Sequence, residues 1–237
     1  MSKEVIENSL TDGDLANISG LYSGKVMQVA NDPENGERIK VHIPLLHSEQ
    51  QGVWARWVTP YAGGGYGVVF RPEPDDEVLL GFLGGDPHAP VILGSLHSRA
   101  APAPSALKAT DEKNKSKGLV SKNGLTLLLD EDDKSITIKT PAGQSLVIND
   151  KSGSVELKDK NNNCLTLDKN GVTIKSAKDI TLNAAGDVKI TARHNFSAEG
   201  LDASVLGKKA IRLGGQAMGE LKTSGPLAIK GAIVQIN

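Results

Sequence analysis

The 237-residue chain has few of the residues that define several large classes of protein. Its one cysteine, Cys164, excludes an internal disulfide and a cysteine-rich zinc site. Its 27 Lys and Arg nearly cancel 28 Asp and Glu, so the net charge of −1 gives no reason to expect nucleic acid as a partner. No apolar run approaches the ~18 residues that span a bilayer. The polar residues 1–5 do not resemble a secretion signal, so we expect synthesis in the cytoplasm and export by a route that reads no such signal.

Aromatic residues are also scarce, and their distribution separates two halves of the chain. Seven of the eight lie before residue 100, and nine of the eleven prolines lie at or before Pro104. A second half that fills its core with Val, Ile, Leu and Ala has a narrow interior. The small residues 100–106, with two prolines, indicate a linker. We therefore predict a tail or linker at 1–20, a domain at 21–99, an extended linker at 100–119 and a second domain at 120–237.

Short alternating segments between turn residues predict six strands in the first domain. They lie at 25–29, 38–43, 54–58, 66–70, 77–83 and 91–96, and the turn formers at 31–36 separate the first two. Five or six short strands in about 75 residues, without helical periodicity, favour a five-stranded Greek-key barrel of the OB-fold type.

The second domain repeats a motif of two aliphatic residues with one residue between them, polar in most copies, which is the alternation of a β-strand. The pairs assigned to its core are Ile136 and Ile138, Leu146 and Ile148, Val155 and Leu157, Leu165 and Leu167, Val172 and Ile174, Ile180 and Leu182, and Val188 and Ile190. The motif blurs after residue 200 and returns near the C-terminus, as at Leu227 and Ile229. Turn formers, such as those at 159–163, separate many of the pairs.

One copy of this repeat is not stable by itself. Ordering eight residues costs on the order of 8–16 kcal/mol of backbone entropy. Burying two aliphatic side chains returns roughly 3–6 kcal/mol. The strands must therefore stack on a shared core, as in a β-solenoid. The periodicity leaves two arrangements open, one chain that coils on itself or three chains wound around one axis, and the shortage of aromatics favours the narrower three-chain form.

Several segments resemble one known family. FRPEPDDEVLLGF at 70–82 and GDPHAPVILGSL at 85–96 resemble the OB domain of phage baseplate spikes and of VgrG (valine-glycine repeat) tip proteins. VTIKSAKDITLN at 172–183 resembles their β-helix, and KGAIVQIN at 230–237 resembles VgrG C-termini. The resemblance covers the chain from about Leu21 to Asn237. Asp75 stands where the family pattern Pro-Glu-x-Gly-Asp-Glu-Val usually has glycine.

The resemblance implies an all-β protein in which an OB-fold barrel is followed by an interwound triple-stranded β-helix, forming a homotrimeric needle. Such a needle is the central spike of a contractile injection apparatus, whether a type VI secretion system, an extracellular injection particle or a phage tail. Its role is mechanical: it pierces the target envelope, contacts the target membrane transiently and carries a tip cap or effectors. Residues 1–20 are too few to form the large N-terminal hub of VgrG proteins. We therefore expect either that hub and tube proteins are separate chains or that this chain is a C-terminal fragment.

The resemblance also bears on the tip and on bound ions. The sequence lacks the His-x-His metal apex of self-pointed spikes, so we expect a blunt tip that binds a PAAR-type cap. The tip residues are Val234, Gln235, Ile236 and Asn237. No cofactor is expected, although an ion on the threefold axis near Asn195 or Gln216 remains open.

Other motifs have ordinary structural explanations. The glycine-rich residues 63–67 open no helix, which favours a barrel loop over a phosphate site. The five histidines, at 42, 47, 88, 97 and 194, are dispersed, and Cys164 has no partner motif at a diagnostic spacing, so we interpret it as structural. Trp54 and Trp57 lack the basic stripe that accompanies base stacking, which favours packing or contacts between subunits. The acidic residues 130–133 lack the central glycine of a calcium loop and predict a solvated turn.

These features favour a structural spike over an enzyme. A glycosidase needs a carboxylate pair in a cleft, whereas the acidic residues here lie mostly in turns. The alternative is a nucleic-acid- or glycan-binding OB-fold protein with a β-solenoid tail. Binding of DNA that weakens with added salt would support that alternative.

Overall fold

The computed structural model describes residues 18–46, 52–107 and 112–236, and its regular structure there is nearly all β. These ranges contain no α-helix and only two 3-10 turns, Leu83–Gly85 and Ser105–Leu107. The predicted all-β class is confirmed. The strands are β1 Tyr22–Gln28, β2 Ile39–His42, β3 Val53–Trp57, β4 Ala62–Gly63, β5 Tyr66–Gly67, β6 Glu77–Phe82, β7 Pro90–Ser95, β8 Ser116–Val120, β9 Thr126–Asp130, β10 Ser135–Lys139, β11 Ser145–Asn149, β12 Ser154–Lys158, β13 Cys164–Asp168 and β14 Gly171–Lys175.

Five of these strands close a barrel in the order β1-β2-β3-β7-β6. β1 pairs antiparallel with both β2 and β6, and β3 pairs parallel with β7. This closed five-stranded barrel confirms the predicted OB-like fold. Gly24 is required in β1, because a Cβ there would lie 2.6 Å from Leu80 Cδ1 and 2.7 Å from Val41 Cγ1.

Alternate residues of the barrel strands point inward and form its core. The burial patterns of β2 and β6 show the alternation directly. Eight side chains are at most 3% exposed: Val26, Ile39, Val41, Ile43, Ala55, Val78, Leu80 and Ile92. Tyr22 and Phe82 extend this core with an edge-on ring contact, their centroids 5.6 Å apart. The core is small and aliphatic, so the barrel is stabilised mainly by close packing of Val, Ile and Leu.

The strand predicted at 66–70 is wrong in its second half. Only Tyr66 and Gly67 pair, and they form a short hairpin with Ala62–Gly63 outside the barrel. Gly67 is required there, because its φ is +151° and a Cβ would lie 2.7 Å from the Tyr61 carbonyl oxygen. Pro72 and Pro74 follow, and proline has no N–H to continue a ladder.

The strands β8 to β14 form one antiparallel sheet in which each strand pairs with its neighbours in sequence. The predicted boundary at 119/120 falls inside β8. Cys164 and Lys175 form the terminal pair between β13 and β14, and the hydrogen-bonded ladder ends there. There the Asn163 side chain replaces the ladder, since its Oδ1 accepts hydrogen bonds from Ser176 Oγ and the Ala177 N–H, each at 3.0 Å.

Contacts divide the chain into two units, Met1–Ile180 and Thr181–Asn237. In the second unit, residues 181–236 contain no strand or helix, and all of them are exposed. The strands predicted at Leu182, Val188 and Ile190 are therefore not formed within the single chain, and Ile180 lies just beyond the last strand. The physical reason is that a strand needs a hydrogen-bonded neighbour, and this part of the chain supplies none to itself. Residues 1–17 of the predicted tail at 1–20, together with His47 and Asn237, lie outside the described residues.

Candidate assembly surface

One face of the seven-stranded sheet is aliphatic and uncovered. The registers place Ile136 opposite Leu129 and Ile148, and Ile138 opposite Leu127 and Leu146. The same two columns continue through β12, β13 and β14. We call this surface the aliphatic face; it consists of Leu127, Leu129, Ile136, Ile138, Leu146, Ile148, Val155, Leu157, Leu165, Leu167, Val172 and Ile174.

The sheet thus brings ten of the predicted core residues together and adds Leu127 and Leu129, with Leu119 of β8 opposite Leu127, which the sequence interpretation missed. Leu127 and Leu129 follow the same alternation, but Leu128 between them is also apolar and hides the period. Ile180, Leu182, Val188 and Ile190 are not brought to this surface by any strand of the single chain.

The side chains of the aliphatic face are unusually exposed for aliphatic residues on a protein surface. Ile138 is 49% exposed, Leu157 52% and Ile174 63%. An ordinary monomer rarely has an apolar patch larger than roughly 300–600 Å², and such patches indicate contact with another molecule. At the edge of this face near the end of β14, an open groove of about 480 Å³ is lined by Leu157, Leu165, Ile174 and Ile180 together with polar turn residues. Half-exposed aliphatic side chains would each gain roughly 1 kcal/mol from complete burial.

The opposite face is mostly polar, and backbone N–H groups in the adjoining turns donate hydrogen bonds to side chains. Its central positions include Thr137, Glu156 and Thr166. The acidic turn after β9 is capped by Asp130, whose Oδ1 accepts the N–H groups of Asp132 and Asp133 at 2.9 Å. Lys151 lies 2.7 Å from Asp133, and this hydrogen bond and its positive charge lower the pKa of the Asp133 carboxyl. The predicted solvated turn is therefore what the structure has at 130–133.

The turn at 159–163 is organised by one carboxylate. Asp159 accepts hydrogen bonds from the backbone and side-chain amides of Asn161 and Asn163, at 2.8–3.1 Å. Burial raises the pKa of Asp159, but these hydrogen bonds outweigh it, so the pKa lies below its usual value. Cys164 follows this turn, half-buried on the polar face, 3.3 Å from Thr166 Oγ1, as a structural residue would be.

The barrel carries a second notable group around Trp57. Its indole Nε1 donates to the Glu37 carbonyl oxygen at 3.1 Å, and the Arg71 guanidinium lies 5.9 Å from its ring centroid. Arg71 also forms an ion pair with Glu37. These contacts occupy the Trp57 edge and one of its faces, which agrees with packing rather than base stacking. Tyr61 and Tyr66 line a groove beside Trp57 and are about 60% exposed.

The remaining motifs form no reactive group in the described ranges. The glycine-rich residues 63–67 form the β4–β5 hairpin, with no helix after it. Within those ranges, no three His, Cys, Asp or Glu side chains are grouped so as to hold a metal ion. In the same part of the chain, no helix is long and apolar enough to cross a membrane.

A closed OB-like barrel followed by a β-sheet with an uncovered aliphatic face indicates a protein that assembles with other molecules through that face. Comparison with protein families agrees. Residues 22–97 match the type VI secretion system/phage-baseplate injector OB domain, and residues 135–194 match the phage baseplate V C-terminal trimerisation domain. The two matches together cover more than half of the chain. The chain belongs to the phage baseplate spike and VgrG family.

Curated relatives are similar over part of this chain. The type VI secretion system spike protein VgrG3 of Vibrio cholerae serotype O1 is 36% identical over 86 residues, 35% of this chain and 8% of VgrG3. Spike protein VgrG4b of Pseudomonas aeruginosa is 36% identical over 76 residues, 32% of this chain and 9% of VgrG4b. The actin cross-linking toxin VgrG1 of Vibrio cholerae is 34% identical over 74 residues, 30% of this chain and 7% of the toxin. The matched region is thus only about a tenth of each relative.

Proposed function

We propose that this protein is the homotrimeric central spike of a contractile injection apparatus, of the type VI or phage-tail kind. The observation that carries the proposal is the aliphatic face, ten of whose twelve residues lie within a region that matches a trimerisation domain. Three copies that turn this face toward a common axis bury it completely and leave the polar face in solvent. The barrel then forms the wider end of the spike.

The eight-residue repeats from Ile180 onward, which we call octads, support the same proposal. They alternate like strands yet have no strand partner in the single chain. In a three-chain β-helix, each octad pairs with strands of the other two copies, which satisfies its backbone N–H and C=O groups. We propose that Ile180, Leu182, Val188 and Ile190 continue the core of the shaft in this way.

The function proposed for the assembled shaft is mechanical and includes no catalysis. It pierces the target envelope, contacts the target membrane transiently and carries effectors. Its broad end binds baseplate hub and tube proteins, and the residues Val234, Gln235, Ile236 and Asn237 bind a PAAR-type cap. The particle is assembled in the cytoplasm and leaves the cell as a unit.

The mass of the full chain in solution tests this proposal. Size-exclusion chromatography with light scattering should give about 75 kDa, three times the chain mass of 24.9 kDa. A stable, well-folded monomer in dilute solution contradicts the proposal and supports a self-coiled solenoid. For the tip, the full chain should retain a PAAR-type protein in a pull-down, and truncation before Val234 should abolish this binding while the trimer mass persists.

A further inference from the structure

The residues that end the strands at the two side margins of the seven-stranded sheet carry opposite charge, whereas the turns beyond them hold charges of both signs, among them Lys134, Lys151, Asp159 and Lys169. Strands β10, β12 and β14 run toward one margin, and each ends in lysine, at Lys139, Lys158 and Lys175. The strands that run the opposite way end in aspartate or are followed by it: β9 at Asp130, β11 at Asp150 and β13 at Asp168. We call these the lysine margin and the aspartate margin.

The three strand-end lysines of the lysine margin have no acidic partner among the described residues. Lys139, Lys158 and Lys175 are exposed, and in the described ranges none of them forms an ion pair. The registers place them on the polar side of the sheet, beside Ser145 and Cys164, which carry no charge. A solvated lysine at the end of each of three strands is not needed to stabilise a hairpin.

The aspartate margin has the same repeat. Asp130 and Asp168 each also cap a turn through Oδ1, and among the described residues their Oδ2 atoms have no hydrogen bond. Asp150 is exposed, and its side chain forms no hydrogen bond or ion pair in the described part of the chain. Its role is therefore not turn capping.

The column of lysines on one margin and the column of aspartates on the other match in spacing. Neighbouring strands are ~4.8 Å apart, so charges on alternate strands repeat every ~10 Å on both margins. The aspartates belong to β9, β11 and β13 and the lysines to β10, β12 and β14, which offsets the columns by one strand. At equal height, Lys158 of one copy thus lies between the levels of Asp150 and Asp168 of another, within the reach of its four-carbon stem.

We propose that the lysine margin of each copy packs against the aspartate margin of the next copy, so that the three sheets close head to tail into a ring. A contact between two different margins of the same chain is heterologous and closes when the rotation is threefold. The pairing sets both the direction of the ring and the height at which the copies meet. This inference rests on the proposed homotrimer and adds the surfaces that join its copies.

Charge reversal at one position of each margin tests the pairing. The full-length variants are Lys158→Glu, Asp150→Lys and their combination, with Lys169→Glu as the matched control. Lys169 lies in the turn of the aspartate margin, so its reversal makes the same change in net charge on the other side. Each chain is unfolded in urea and refolded at low salt and at 1 M salt, and trimer formation is followed by light scattering.

At low salt, K158E and D150K should each form trimer about tenfold more slowly than the unaltered chain, because like charges meet at every corner. The combined variant should recover to within about twofold, and K169E should not be slowed. At 1 M salt the Debye length is about 3 Å, so the variants should converge. Equal rates for K158E and the unaltered chain at low salt, or no recovery in the combined variant, would overturn the inference. An unaltered chain that is monomeric before it is unfolded would also overturn the proposed function, whereas a trimer whose refolding is indifferent to these charges overturns only the margin pairing.

Discussion

Arg38 holds the Asp32 carboxylate through a two-pronged contact, with Nη2 2.7 Å from Oδ1 and Nε 3.1 Å from both oxygens. The same carboxylate accepts the N–H groups of Glu34, Gly36 and Arg38. It therefore organises the whole β1–β2 loop, and the Asp32 side chain is only 6% exposed. The Arg38 hydrogen bond is the main reason that the pKa of Asp32 lies well below its usual value of 3.8.

This pKa predicts how the stability of the barrel depends on pH. A carboxylate with a lowered pKa in the folded state stabilises the fold above its unfolded pKa and loses this effect as the pH falls through its folded pKa. We expect the urea midpoint of the barrel to fall as the pH is lowered from about 5 to 2. Asp32→Asn should be less stable at neutral pH and should lose less on acidification. A parallel pH profile for D32N and the unaltered protein would contradict this role.

Leu80 should be one of the largest contributors to barrel stability, because it is fully buried in the core. Leu80→Ala should lower the free energy of unfolding by about 2–5 kcal/mol. Leu93→Ala, at a position that is 46% exposed, should cost less than about 1 kcal/mol. Both tryptophans lie in β3, so tryptophan fluorescence in urea reports the barrel alone. Equal losses for the two variants would show that this core is not packed as described.

Ile138 and Thr137 are adjacent in β10 but lie on opposite faces of the sheet. If the aliphatic face is the trimer core, Ile138→Asp buries three unpaired carboxylates, each at a cost of several kcal/mol. We therefore expect I138D to be monomeric at concentrations where the unaltered chain is a trimer. Thr137→Asp introduces the same charge on the polar face and should keep the trimer mass. Light scattering measures both, and a trimeric I138D would exclude this face as the core.

Asp75 has a φ of +75°, the left-handed conformation that favours glycine. Its carboxylate lies 2.8 Å from Lys25 Nζ, which lowers the pKa of Asp75 and holds the turn. Asp75→Ala should lower the barrel melting temperature by about 5 °C, because alanine is strained in this conformation and lacks the ion pair. Asp75→Gly should lower it less, and Lys25→Gln isolates the contribution of the ion pair. D75A and D75G with the same melting temperature would contradict a strained turn.

Asp75 also shows the physical reason for one residue preference in the family pattern. The pattern has glycine at this position, and the structure shows why, since the backbone there is left-handed. The barrel strands were predictable because hydrophobic alternation persists over each of them, as in Ile39–His42. The segment 66–70 was not, because its apolar residues lie beside glycines and prolines that turn the chain.

The assembly surface was predictable in composition but not in extent. Pairs such as Ile136 and Ile138 alternate cleanly, whereas three consecutive leucines conceal Leu127 and Leu129. The charged margins were missed because they appear only when the strand directions are known and the end residues are read across the sheet. The octads after Ile180 show the limit of a single chain, since the alternation marks a strand but does not say which molecule pairs with it.

The pairing pattern of the two β-structures has a kinetic consequence. In the seven-stranded sheet, partners are near in sequence, as with Ile138 and Leu146. In the barrel, Tyr22 must find Leu80 and Arg56 must find Val91. Folding slows as the sequence separation of contacts grows, so hairpins such as β10–β11 should form before the barrel that precedes them closes. The seven-stranded sheet would thus form before the barrel, although the barrel is synthesised first.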